Sequence, residues 1–118
     1  MKRTLFLLLA LLSLNVFAQQ YTYHKAQLHC HSTNSDGVMD PQTVAQEYIS
    51  RGYEILFLTD HNFMTPANTY EMPGILAVSS EEYTFAKHIN GFFLNHTIDA
   101  SGFSAQQAID SIKAWLMS

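Results

Sequence analysis

Two histidines one residue apart, His29 and His31, end an apolar run, and Asp36 follows beside Gly37. Side chains alternate faces along an extended chain, so the two imidazoles share one side while Cys30 takes the other. Paired imidazoles can hold one divalent cation, each ring nitrogen at about 2.0–2.1 Å. Asp36 lies past the strand end, where a loop can turn its carboxylate back toward the same place. Gly37 permits the sharp backbone path of such a return. The plain alternative is two surface histidines on an edge strand. Further along, Asp60-His61 and Glu81-Glu82 with His88 repeat the same ligand chemistry and weigh against it.

The elements that must position these groups read as alternating strand and helix. Tyr21 to Leu28 predicts a first strand. Asp40-Pro41 is a helix start, a capping carboxylate followed by proline where a missing N–H costs nothing. Val44, Ala45, Tyr48 and Ile49 follow at helical spacing, and Gly52 marks the stop. Ile55 to Leu58 is a continuous apolar run, which suits a strand buried on both faces of a parallel sheet. Residues 63–73 read as a polar loop with Pro66 and Pro73. Ile75 to Val78 predicts a third strand, ending before Ser79-Ser80-Glu81-Glu82, and Lys87-His88 falls in a turn. Phe92-Phe93-Leu94 is a fourth apolar run leading to Asn95-His96. Ser104 to Gln107 has the form of a capping box, and Ala108, Ile109, Ile112, Trp115 and Leu116 make an apolar helical stripe.

The informative regularity is where the ligands fall. Each of three successive strands is followed by groups that bind cations: His29, His31 and Asp36, then Asp60 and His61, then Glu81 or Glu82 with His88. In parallel α/β architectures the carboxyl ends of the strands open on one side, and that side carries the active site. These groups, spread along the chain, thereby converge on one mouth. No Ser/His/Asp or Cys/His pair suggests a protein nucleophile, so a metal-activated water is the expected attacking group.

His29-x-His31 with Ser35-Asp36-Gly37, then Thr59-Asp60-His61, then a glutamate followed by a histidine, resembles the motif series of the PHP (polymerase and histidinol phosphatase) family. The likeness covers roughly residues 23–118. It implies an α/β fold, the N-terminal portion of a distorted (β/α)7 TIM-like barrel, truncated here. It also implies a site for two or three divalent ions (Zn, Mn or Fe) and hydrolysis of phosphate esters. By the same resemblance His29 and His31 bind the first metal, Glu82 bridges to a second, His88 ligates the second, and Asp36 and His61 serve a third. Asp60 is expected behind the ligands, holding one imidazole in its tautomer; a strand-end cap is the plainer role. Glu81 is the fallback for Glu82. A later His and an Asp-x-His of the family pattern have no counterpart in this chain. His24 and His96 match no motif and read as satisfied or surface histidines. Two other readings stay open: a related metallohydrolase of carbamates, amides or carboxylic esters, and a metal- or ligand-binding module without turnover.

Lys2 and Arg3, the apolar Leu5 to Leu12 and the small residues around Ala18 read as a secretory signal peptide, residues 1–18, leaving 19–118 as a partial PHP domain. The segment is interrupted too early by Ser13, Asn15, Gln19 and Gln20 to span a membrane. Export to the periplasm or beyond is expected, with no membrane attachment after cleavage. Cleavage removes two cations and no acid, taking the formal charge from −4 to −6. That acidity argues against nucleic acid or an anionic membrane as the partner; a small-molecule phosphate ester is what the resemblance implies. Cys30 is the sole cysteine and reads as a packed, inert thiol rather than a catalytic one. A mature chain of this length is too short for a complete barrel, which takes about 200 residues or more. The apolar stripe still runs at Ser118, so the chain reads as a fragment of a longer protein.

Overall fold

A computed structural model describes residues 21–85, 87–99 and 101–116. The expected leader, residues 1–18, lies outside them. Four strands form one mixed sheet, and the sheet curls as part of a barrel would. Strands β1 (Ala26–Gln27), β2 (Ile55–Leu58) and β3 (Leu76–Tyr83) run parallel, and β4 (Ile89–Phe92) pairs antiparallel with β3. Helix α1 (Pro41–Ser50) connects β1 to β2, and α2 (Ala105–Leu116) follows β4.

Helix α1 begins where its capping signal places it. Asp40 Oδ1 accepts from the backbone N–H groups of Gln42 at 3.1 Å and Thr43 at 3.0 Å. Two of the unpaired donors of the first turn are thereby satisfied. The helix ends as Gly52 takes a φ of 74°, a conformation that glycine adopts without penalty. At α2 the capping box closes in both directions. Ser104 N–H donates to Gln107 Oε1 at 2.9 Å, and Gln107 N–H donates to Ser104 Oγ at 3.3 Å.

Burial explains the sheet. Leu56, Phe57 and Leu58 are all buried, as a strand covered on both faces requires. Leu56 and Leu58 pack with Val44 and Ala45 of α1 and with Tyr70, Ile75 and Ala77. Cys30 sits against this cluster, on the side away from the histidines, as a small apolar side chain would. Phe57 faces the other way, its ring centroid 4.6 Å from that of Phe92. A second cluster of Tyr83, Leu94, Ile98 and Ala108 holds α2.

Three expectations change. The first strand is only Ala26–Gln27, not Tyr21 to Leu28: residues 21–25 are exposed, and their contacts run largely to residues 51–54, ahead of β2. One of these is His24 Nδ1, 2.6 Å from Glu54 Oε2 at the surface. The third strand does not stop at Val78. It pairs with β2 as far as Leu58↔Ser79, then continues from Ser80 to Tyr83 as the partner of β4. Glu81 and Glu82 therefore lie within a strand rather than after one. The fourth strand begins at Ile89, before the Phe92-Phe93-Leu94 run, and its tight connection to β3 makes it antiparallel where a continuing βα repeat would be parallel. Among the described residues no helix is long and apolar enough to cross a membrane.

Candidate metal centre

The end of β1 delivers two imidazoles. The His29 and His31 rings stand edge to face with centroids 4.9 Å apart. His29 Nδ1 lies 2.8 Å from the hydroxyl of buried Thr59, the residue that follows β2. His31 is held at both nitrogens: Nδ1 is 2.6 Å from Asp36 Oδ1, and Nε2 is 3.1 Å from Glu82 Oε2.

Asp36 reaches His31 because the loop between them folds on itself. Ser32 C=O accepts from Ser35 N–H at 3.1 Å and from Gly37 N–H at 2.9 Å. The turn is so tight that a Cβ on Gly37 would lie 2.6 Å from the His31 carbonyl oxygen, which admits only glycine. The hydrogen bond from His31 holds the Asp36 carboxyl below its ordinary range, with the nearby charge of His61 adding to it against a smaller cost of burial.

The β2–β3 ladder supplies the remaining ligands. It extends past Leu58 to a parallel bridge between His61 and Glu82, with Glu82 N–H donating to Asp60 C=O at 2.9 Å and Asn62 N–H donating to Glu82 C=O at 2.8 Å. Glu82 is 2% exposed and lies among three imidazoles. Its Oε2 is 2.9 Å from His61 Nδ1 as well as 3.1 Å from His31 Nε2, and its Oε1 is 2.6 Å from His88 Nδ1. His61 Nε2 is 3.3 Å from Asp36 Oδ2. The turn between β3 and β4 brings in His88.

Close as they are, Glu82 Oε2, His31 Nε2 and His61 Nδ1 are buried without a well-formed hydrogen bond. Lone pairs pointed at one another without an intervening proton are costly to bury. A cation between them removes that cost. Three sets of groups each have ligand atoms within 4.8 Å of one another: His29, His31 and Glu82; His31, Asp36 and His61; and His61, Glu82 and His88. Glu82 belongs to two of these sets, as His31 and His61 do. All six expected ligands are thus brought together, and the residues present fit divalent metal.

Strand alternation separates the two adjacent glutamates. Glu81 projects to the opposite face, where its carboxylate accepts from Ile98 N–H at 3.1 and 3.3 Å, and burial pushes its pKa up to about 7.

Asp60 does not hold an imidazole. It is fully buried and accepts four hydrogen bonds: from Ser32 N–H at 2.7 Å, Ser32 Oγ at 2.8 Å, Ser35 Oγ at 2.7 Å and Thr65 Oγ1 at 2.5 Å. The carboxylate fastens the His31–Asp36 loop to the end of β2, which exceeds a strand-end cap. The residue that touches an imidazole from behind is its neighbour Thr59. Asn62, at φ 50°, binds Thr84 through both side-chain amide atoms and so fixes the start of the turn carrying His88. Ser32, Ser35, Thr59, Asn62 and Thr65 were not expected to take part. Ser35 and Thr59 lie within the quoted motifs, and the others are small hydroxyl or amide residues that flank the candidate ligands. Lys87 is exposed in the turn, and His96 packs on the Trp115 ring, 4.6 Å between centroids.

Among known proteins, a 5'-3' exoribonuclease of Haemophilus influenzae is 45% identical over 38 residues, a match covering 32% of this chain and 14% of that enzyme. No family model matches the chain. No solved structure matches it either.

Proposed function

We propose that this chain carries a metal-dependent phosphoesterase site of PHP type, at the mouth of the N-terminal part of a (β/α)7 barrel. The observation that carries the reading is Glu82: one buried carboxylate within reach of imidazoles from three separate segments. A carboxylate shared by two ligand sets is what a two-metal hydrolase requires, its ions being about 3.5–4 Å apart. His29, His31 and Glu82 would hold one ion and Glu82, His61 and His88 another, with His31, Asp36 and His61 available to a third. Zn, Mn and Fe all suit such a mixed shell. Divalent ions bound there supply positive charge for a phosphoryl group and a lowered pKa for water.

The chain's own residues then have definable tasks. Glu82 balances cationic charge deep in the site, where its low exposure makes the interaction strong. Asp36, at the solvent edge and hydrogen-bonded to His31, would complete the ligand set that it forms with His31 and His61. Thr59 orients His29, and Asp60 fastens the His31–Asp36 loop to the end of β2. A leading segment that directs export belongs to the same reading, and so does a small-molecule ester as substrate.

One observation favours a polymeric substrate: the relative of matching sequence is by name an exoribonuclease, and RNA is a phosphodiester. The acid-rich composition weighs against a polyanion such as RNA. The loops at the strand ends are poor in Arg and Lys, which leaves a carbamate, amide or carboxylic ester as the competing bond. The deciding experiment loads the protein with Zn or Mn and measures bound metal. It then assays aryl phosphate mono- and diesters, a short RNA and an aryl carboxylic ester side by side. Phosphate-ester hydrolysis that requires metal supports the proposal. Cleavage of the carboxylic ester alone overturns it, and full metal occupancy with no turnover on any of them leaves a binding module.

A further inference from the structure

A second cavity opens beside the ligand cluster, between the His31–Met39 loop and α1. Its volume is about 310 Å³, and its walls include Val38, Met39, Val44 and Tyr48, with Arg51 and Glu47 at one end. Cys30, His31 and Asp36 line it as well, so it adjoins the loop that carries two of the candidate ligands. Val38 is 89% exposed and Met39 39% exposed. An apolar pair left open to water beside a charged cluster costs solvation energy that a bound apolar group would recover. Arg51 Nη2 lies 2.9 Å from Glu47 Oε2, a pair separated by one helical turn that presents a donor and an acceptor together. Small-molecule pockets span about 300–1,000 Å³, so this cavity, at the lower end of that range, has room for a ring-sized organic group.

We infer that this cavity is the subsite for the alcohol portion of the substrate, selecting phosphate esters whose leaving group is apolar and ring-sized over those of small aliphatic alcohols. The inference rests on the phosphoesterase reading. The phosphoryl group would sit at the His31–Asp36 edge shared by cluster and cavity. Its organic substituent would lie along Val38 and Met39, with any polar end of the ring meeting Arg51 or Glu47. Interactions with a part of the substrate that does not react raise discrimination between esters without altering the chemistry at phosphorus.

The test uses the metal-loaded full chain with phenyl phosphate and methyl phosphate as substrates and inorganic phosphate as competitive inhibitor. The wild type is expected to favour phenyl phosphate in kcat/KM. The double variant Val38→Ser with Met39→Ser is expected to reduce the phenyl-to-methyl ratio about tenfold, the scale of one lost apolar contact surface. Neither side chain is in the buried core, and a circular dichroism melt confirms that the variant folds. A second variant, Arg51→Ala, should lower the ratio for 4-carboxyphenyl over phenyl phosphate. An unchanged phenyl-to-methyl ratio in a double variant that still hydrolyses both esters overturns the subsite alone. A wild type that releases phosphate from neither ester and shows no phosphate binding overturns the phosphoesterase reading, and the subsite with it.

Discussion

His61 and Glu82 face each other across a parallel bridge, and that backbone pairing sets the imidazole Nδ1 2.9 Å from the carboxylate Oε2. Two residues far apart in sequence are thus positioned by sheet register rather than by loop conformation. Register matters to the core as well, because a slip of one residue in β3 would turn Ala77 away from the cluster it forms with Leu56 and Leu58. The same slip would exchange Glu82 for Glu81 at the cluster. Core packing and site assembly are therefore one constraint.

Glu82→Gln should lower bound metal by at least one equivalent, since an amide offers no charge to cations that two ligand sets share. Glu81→Gln should leave the metal content unchanged, because Glu81 faces Ile98. Metal analysis after dialysis, together with the rise in thermal midpoint on adding Zn or Mn, checks both. Ligand linkage predicts about 2.7 kcal/mol of stabilisation at a hundredfold excess over the dissociation constant. Glu82→Gln should lose most of that rise and Glu81→Gln none.

Asp60→Asn keeps the shape of the side chain and reverses half of its hydrogen-bonding chemistry. Four donors converge on this carboxylate, and an amide turns an N–H₂ toward some of them. Buried groups left without partners cost roughly 1–3 kcal/mol, and urea denaturation should register a loss of that size. Metal binding should weaken and not vanish, because Asp60 acts on the loop that carries His31 and Asp36 and touches no imidazole.

Much of this arrangement was legible before any coordinates, and the reasons are local. Asp40-Pro41 and Gly52 bound α1 through capping chemistry that needs no tertiary partner. Ile55 to Leu58 is apolar throughout, so burial on both faces was already implied. The six candidate ligands stood out because they fell near successive strand ends and matched the motif series of a known family, and the fold brings them together. What stayed hidden depends on long-range pairing. Ser80, Glu81 and Glu82 read as polar residues beyond a strand, yet β4 supplies their backbone partners and all three are buried. The partners of Asp60 come from two distant segments, Ser32–Ser35 and Thr65, that only the folded chain brings together. The shortness of β1 follows from its place at an edge, where one neighbour supplies every hydrogen bond.

Thr59→Val removes the hydroxyl that lies 2.8 Å from His29 Nδ1 and keeps the β-branched shape. Groups that orient a ligand histidine from behind are worth about 10–100-fold in metal affinity. A loss in that range is expected for Val, with recovery in Thr59→Ser, measured by competition against a chromogenic chelator. A purely structural role for Thr59 would lower the melting temperature of the apo protein and leave the affinity of the folded fraction intact.

Asp40 gives a pH dependence that is separate from the metal centre. Hydrogen bonds from the Thr43 hydroxyl, the Thr43 N–H and the Gln42 N–H lower its pKa beneath the ordinary value of 3.8. A folded-state pKa below the unfolded one stabilises the native chain at pH values above 3.8, and the contribution disappears as pH falls through the folded value. Asp40→Ala should therefore be less stable than the wild type by a constant amount at neutral and mildly acidic pH. Below pH 3.8 the gap between the two should narrow as the wild-type carboxylate takes up a proton and its cap weakens. Urea unfolding of both proteins across that range reads the difference directly, and other acid-sensitive groups, Asp36 among them, cancel because both proteins carry them. A gap that stays constant to the lowest pH would mean that Asp40 caps α1 equally well in its protonated form.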